Sequence, residues 1–262
     1  MIFIPIGLIL TLIIAILTRC GGQSANEVHT EHEAAGLNRG LRYYVGGEYQ
    51  MALAEFNMLI ISDAEFGDAY NGRGLTYIEL GQYEQAVSDF TQAIQLMPNW
   101  AGGYNNRGTA YVSLGRNDQA LLDYNQAIEL DPYFAKAFFN RGLLFLDQGE
   151  YKLAVVDFDQ AILYTPEESI STQNVLATQG AGSLQAGAPT PNPFDSMLAE
   201  MEAMADLNST YADLPDSYAY RGMANYYLGN TIQAVEDLEQ ALALGLDPDE
   251  QNWASAILDT IR

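Results

Sequence analysis

The chain is poor in the residues that support covalent and metal chemistry. Its 262 residues include one cysteine and two histidines. A single thiol excludes a disulfide framework and any cysteine-rich zinc module. Basic side chains are also scarce: 11 Lys and Arg stand against 34 Asp and Glu, a net charge of −23. That balance excludes nucleic acid as partner, because holding phosphate needs clustered cations. Disorder is excluded for the opposite reason. Only 17% of the residues are charged and 48% are hydrophobic, too apolar for a solvated acidic tail. No glycine-rich phosphate loop precedes a strand pattern, and no histidine follows His32. His29 and His32 have a spacing that suits one helical face, but with no third ligand nearby they read as two solvated side chains. No catalytic residue, cofactor or metal is therefore expected.

Long apolar runs are missing too, with one exception. Residues 1–18 carry no charged side chain. As a helix they would span about 27 Å, close to a hydrocarbon core of about 30 Å. Residues 1–19 are read as a signal or membrane segment and residues 20–32 as a tether. Cys20 follows the run directly and is succeeded by Gly21, Gly22, Gln23 and Ser24. This resembles a bacterial lipoprotein signal, which implies a lipid on Cys20. Leu17 and Thr18 fit that pattern. Arg19 departs from it, as does the lack of any basic residue earlier in the chain, so an uncleaved anchor stays open. Both of these readings place the protein at a membrane of the bacterial envelope; plain secretion is the third. Lipidation implies an extracytoplasmic body, whereas Arg19, Arg39 and Arg42 after the segment favour the cytoplasmic side.

Beyond this segment a period of 34 residues governs the sequence. Arg-Gly recurs at Arg39-Gly40, Arg73-Gly74, Arg107-Gly108, Arg141-Gly142 and, after an interruption, Arg221-Gly222. Seven residues after each of these glycines stands another: Gly47, Gly81, Gly115, Gly149 and Gly229. Then come Ala52, Ala86, Ala120, Ala154 and Ala234, and four residues later Phe56, Phe90, Tyr124, Phe158 and Leu238. Pro98, Pro132 and Pro166 close three units. Small residues at fixed offsets let two antiparallel helices approach, and the middle glycine suits a left-handed helix end. Tyr70, Tyr77, Tyr104, Tyr111, Phe138 and Phe145 are expected to fill the gaps between successive hairpins. One hairpin alone cannot bury its apolar face, so neighbours must stack.

These positions resemble the tetratricopeptide repeat (TPR) family. The resemblance implies an all-α solenoid of helix-turn-helix units winding as a right-handed superhelix. Four contiguous units fall at 33–168 and a fifth at 215–248. Residues 249–262 suit a capping helix. The first unit departs from the pattern with Gly36 in place of an aromatic, and the fifth with Asn225 in place of an aromatic and its proline displaced to Pro248. The insertion at 169–214 combines a Pro/Gly-rich stretch (180–193) with a short amphipathic helix (194–207), and whether it covers the groove is left open.

The family normally carries an apolar residue where this chain repeats arginine. Sixteen residues after each arginine stands an acid, giving Arg39/Glu55, Arg73/Asp89, Arg107/Asp123, Arg141/Asp157 and Arg221/Asp237. A structural ion pair in every unit is expected. The resemblance further implies a concave face that takes a peptide or a partner helix. Carried over by position, that face comprises Asn38, Asn71, Asn105, Asn106, Lys136, Phe139, Asn140, Leu143, Tyr220, Met223 and Tyr227. Asparagine can both donate to and accept from a peptide backbone. A subfamily clamps C-terminal carboxylates; Asn106 and Lys136 match its pattern, while Asn71, Leu75 and Asn140 do not. The expected function is a non-enzymatic adaptor for other proteins, with basic partners favoured by the charge. The alternative is a structural component of a homo-oligomer or of a secretion or pilus machine.

Overall fold

The computed structural model describes residues 25–165 and 213–262. The membrane segment, Cys20 and the insertion except for its last two residues lie outside the described residues. Those described form eleven α-helices and no strand. In order they are α1 (Ala25–Val45), α2 (Tyr49–Ser62), α3 (Gly67–Glu79), α4 (Tyr83–Leu96), α5 (Ala101–Ser113), α6 (Asn117–Leu130), α7 (Ala135–Asp147), α8 (Tyr151–Tyr164), α9 (Leu214–Leu228), α10 (Thr231–Leu244) and α11 (Pro248–Ile261). Five antiparallel hairpins, α1/α2 through α9/α10, stack in order, with α11 laid on the last. Each odd-numbered helix also touches the next odd-numbered helix, and no comparable contact joins the even-numbered ones. The stack therefore curves, with the odd helices on its inner side.

Local sequence explains each hairpin. The first helix ends on Gly47, Gly81, Gly115, Gly149 or Gly229, all at φ between +68° and +78°. After each, the next residue's N–H reaches back to the carbonyl five residues earlier, as from Glu48 to Tyr43 and from Gln82 to Tyr77. This closure uses carbonyls that the helix end would otherwise leave unpaired. The ring of Phe56 then lies between two helices. A Cβ added at Gly40 of its own unit, or at Gly72 of the next, would come within 2.5 Å of that ring. Phe90, Tyr124, Phe158 and Leu238 hold the equivalent place in later units and are buried. These residues are interlocking knobs, and the rings expected to fill the gaps between hairpins do so: Tyr77 packs with Phe90 and Ala110, Tyr111 with Tyr124 and Leu144, and Phe145 with Phe158 and Ala224. Several of these rings also flank the arginines: the guanidinium of Arg73 lies 5.5 Å from the centre of Tyr70, and that of Arg107 lies 5.7 Å from Tyr104 and 5.9 Å from Tyr111.

Three departures have physical causes. The tether expected over 20–32 is helical from Ala25, because residues 25–35 contain neither glycine nor proline to stop a helix. The first unit exchanges sizes across its interface. Gly36 replaces the aromatic of later units and Leu59 replaces their Ala93, Ala127, Ala161 and Ala241, and a Cβ on Gly36 would meet Leu59 at 2.7 Å. In the fifth unit Gly245, at φ 101°, ends α10. Pro248 begins α11 rather than ending the hairpin; it occupies the first turn, where a missing N–H costs nothing, behind Asp247, whose side chain caps Asp249.

Candidate binding face on the inner helices

The arginines fix the register on which this face is built. Arg73, Arg107, Arg141 and Arg221 each grip the acid of their own unit with two nitrogens, at 2.7, 2.8, 2.7–2.8 and 2.6–3.0 Å respectively. Arg39 meets Glu55 at 3.1 and 3.2 Å through one oxygen. Asp89, Asp123, Asp157 and Asp237 are buried. Burial pushes the Asp157 carboxyl above its ordinary value despite Arg141. From unit two onward the third nitrogen of the arginine reaches the preceding unit: Arg73 to Asn57 and Arg141 to Asn125, both at 2.6 Å, and Arg107 to Thr91 at 3.2 Å. These partners lie sixteen residues back. Arg221 makes the same bond to Asp159 at 2.6 Å across sixty-two residues. The insertion therefore leaves the stacking register intact. Asn225, the departure in unit five, donates to Asp237 at 3.2 Å.

The inner positions divide into two chemistries. Asn106 donates to Asn71 at 3.0 Å and Asn140 donates to Asn105 at 2.8 Å, each bond joining one first helix to the next. Asn71 and Asn105 are buried. Four of the five asparagines assigned to a ligand are thus bonded to one another. Lys136, in the first turn of α7, and Asn38, on α1, are half-buried. One unit further on, the same register holds rings. Phe139 and Tyr220 meet edge to face at 6.0 Å, and Tyr220 lies 5.6 Å from Trp253 of α11. Leu143 packs into the same cluster. Tyr227 is 54% exposed and stacks on Tyr151 at 4.9 Å.

Acids rim this aromatic floor. The Tyr220 hydroxyl donates to Glu250 at 2.8 Å. Burial, then the charge of Asp213, then the hydrogen bond to Glu250 and the charges of Glu250 and Asp247, push Asp216 up to about 8. The Tyr220 hydroxyl is also pushed up, by burial and by Glu250. Residues 166–212 contain no Lys, Arg or His. Trp253 and Glu250 were not assigned to the face from sequence. Their register is legible only once α11 is seen to stack as a further first helix.

The tetratricopeptide repeat family matches residues 67–99 and 135–168, and a TPR repeat matches residues 108–149. The chain carries tetratricopeptide repeats. Among solved structures it is similar to TTC0263, a thermophilic TPR protein of Thermus thermophilus, at 20% identity and a TM-score of 0.57, over 86% of this chain and 98% of that one. It is similar to MamA at 16% identity and a TM-score of 0.52, over 82% and 92% of the two chains. It is also similar to YrrB, described as a TPR protein with an unusual peptide-binding site, at 18% identity and a TM-score of 0.50, over 84% and 90%. At these identities the likeness concerns the fold. A search of curated proteins by sequence finds no match. TPR units are in general interaction modules, and the inner face of this chain fits that use.

Proposed function

We propose that this TPR chain is a non-enzymatic adaptor that binds a segment of another protein on its inner face. Binding centres on the aromatic floor of α7, α9 and α11. One observation carries the reading: Phe139, Tyr220 and Trp253 form a continuous ring surface, beside the exposed Tyr227 and under a rim of carboxylates. Rings supply large contact area at little entropic cost. The rim selects a segment with basic side chains, which the net charge of −23 steers in. YrrB, with its peptide-binding site, shares the fold. The asparagine floor of units two to four is less available, because its amides are already bonded.

The apolar stretch 1–18 supports attachment to a membrane, with Cys20 as a lipidation site or the segment itself as anchor, in a bacterial envelope and outside the cytoplasm. A photo-crosslinking residue at Tyr227, set against one at Gln92 on the outer side, tests the face in native membranes. Capture of one protein from Tyr227 alone, weakened by salt, is the expected result. Equal capture from both positions refutes the site. Mass spectrometry of the mature N-terminus tests the lipid on Cys20.

A further inference from the structure

The α9/α11 end of the inner face combines two features that the other units keep apart. Asp68, Gly102, Lys136, Asp216 and Glu250 occupy one repeat position, in the first turn of successive odd-numbered helices. Asn71, Asn105, Phe139, Ala219 and Trp253 occupy a second, three residues on. Unit two has an acid at the first position and an asparagine at the second. Unit four has a ring at the second and a cation, Lys136, at the first. In α11 an acid and a ring stand together, and Glu250 and Trp253, three residues apart, share one side of the helix. The Tyr220 hydroxyl donates to Glu250 at 2.8 Å while its ring lies 5.6 Å from Trp253, so carboxylate and ring surface adjoin. All three side chains are part-buried and reach the groove.

The chain's own arginines show what such a pairing holds. In units two to five the guanidinium lies 5.3–5.7 Å from the centre of the ring three residues before it, Tyr70, Tyr104, Phe138 or Tyr218. A carboxylate takes two of its nitrogens at the same time. Arg221, the arginine nearest to Tyr220 in sequence, is committed to Asp237 and Asp159. We propose that the floor between α9 and α11 takes an arginine side chain of the bound segment, its guanidinium laid on Trp253 and Tyr220 and paired with Glu250 and Asp216. This deepens the adaptor reading above and rests on it. Arginine fits better than lysine for two reasons. A guanidinium is planar and weakly hydrated, so it stacks on rings, whereas an ammonium holds its water. Its fork also matches carboxylates that arrive from two helices. An apolar side chain fits worse than either, because it would strip water from Glu250 and offer no charge in return.

The two tryptophans, Trp100 and Trp253, supply the readout. The full chain, labelled with 5-fluorotryptophan and held in detergent micelles, is titrated with acetyl-Gly-Arg-Gly-amide and with the lysine and citrulline versions of that peptide. The expected result is a saturable shift of the Trp253 signal with the arginine peptide, while Trp100 stays still. The lysine peptide should bind about tenfold more weakly, and the neutral citrulline peptide should leave Trp253 unmoved. Glu250→Gln keeps an acceptor for the Tyr220 hydroxyl and should weaken the arginine peptide by about tenfold or more. Asp68→Asn, at the same repeat position in unit two, should change nothing. Equal binding of the arginine and lysine peptides overturns the guanidinium assignment and leaves the preference for a basic segment standing. An arginine peptide that does not move Trp253, or that binds the Glu250→Gln chain as well as the parent, overturns the site, while capture from Tyr227 alone still upholds the adaptor.

Discussion

The inner floor over units two to four and the inner floor over units four, five and α11 share one scaffold and differ in chemistry. In both, an arginine grips its acid and reaches back to the preceding unit. In both, a buried knob lies against a glycine. At the shared floor positions, however, the first region places Asn71, Asn105, Asn106 and Asn140, which bond to each other, and the second places Phe139, Tyr220 and Trp253, whose faces are not consumed by hydrogen bonds. The comparison teaches that stacking and recognition occupy separate positions of this repeat. Scaffold changes should cost stability wherever they are made. Floor changes should cost binding in one region and stability in the other.

The largest effect tests the shared scaffold. Asp157→Ala leaves Arg141 unpaired in a buried setting and should lower stability by about 3–5 kcal/mol, with Asp123→Ala costing a similar amount in denaturant melts. Adding Arg141→Ala to Asp157→Ala should recover part of the loss. A strictly additive pair would show that the two groups do not interact.

The floors separate next. Tyr220→Ala should weaken the captured segment by about tenfold to a hundredfold, the range of an aromatic hot spot. Asn105→Ala should leave that affinity nearly unchanged and instead cost about 1–3 kcal/mol of stability, because the Asn140 amide loses its acceptor. Titration calorimetry with the identified segment reads the first effect and chemical unfolding the second. Equal affinity losses from the two variants would erase the distinction between the floors.

The acid rim gives a smaller effect with a definite sign. Asp216 binds its proton more tightly folded than unfolded, so the folded state holds more protons between pH about 4 and about 8. Stability at the junction of α9 and α11 therefore declines as pH rises through that window and levels off above it. Asp216→Asn should flatten this slope and protect the α11 amides at pH 8, as read by hydrogen exchange corrected for intrinsic rates. A slope unchanged by the substitution would show that another group sets it.

The smallest net effect tests whether unit one is an altered copy of its neighbours. Gly36→Tyr alone should cost about 1–3 kcal/mol by overpacking Leu59. Gly36→Tyr with Leu59→Ala restores the sizes used in later units and should come close to the parent in thermal melts.

Much of this architecture was legible in the residues. The recurrence of Arg-Gly, glycine, alanine and aromatic at constant offsets specified the hairpins, because each position answers a local steric demand. The arginine and its acid, sixteen residues on, fall side by side because the turn lies midway between them. The floor was less legible. Asn71 and Asn106 were assigned to a ligand because sequence gives their chemical type without their distance, and here each is the other's partner. Glu250 and Trp253 were missed because α11 does not repeat the signature that marks the other units, and only stacking sets its register. Tyr104 and Phe138 fill gaps between hairpins as expected; that these rings and Tyr70 also lie beside guanidiniums was not legible, since a sequence does not say which side of a ring meets a cation.

Sequence by itself determined the repeat, its hairpins and the charge. Periodicity, helix ends and small-residue notches are short-range properties that act within one unit. Only the tertiary structure decided that unit five stacks on unit four across the insertion, that the asparagines satisfy each other, and that the rings of three helices meet over one acidic rim. Those outcomes depend on distances between units, and the physical reason is that a solenoid sets such distances by packing, after every local preference has already been met.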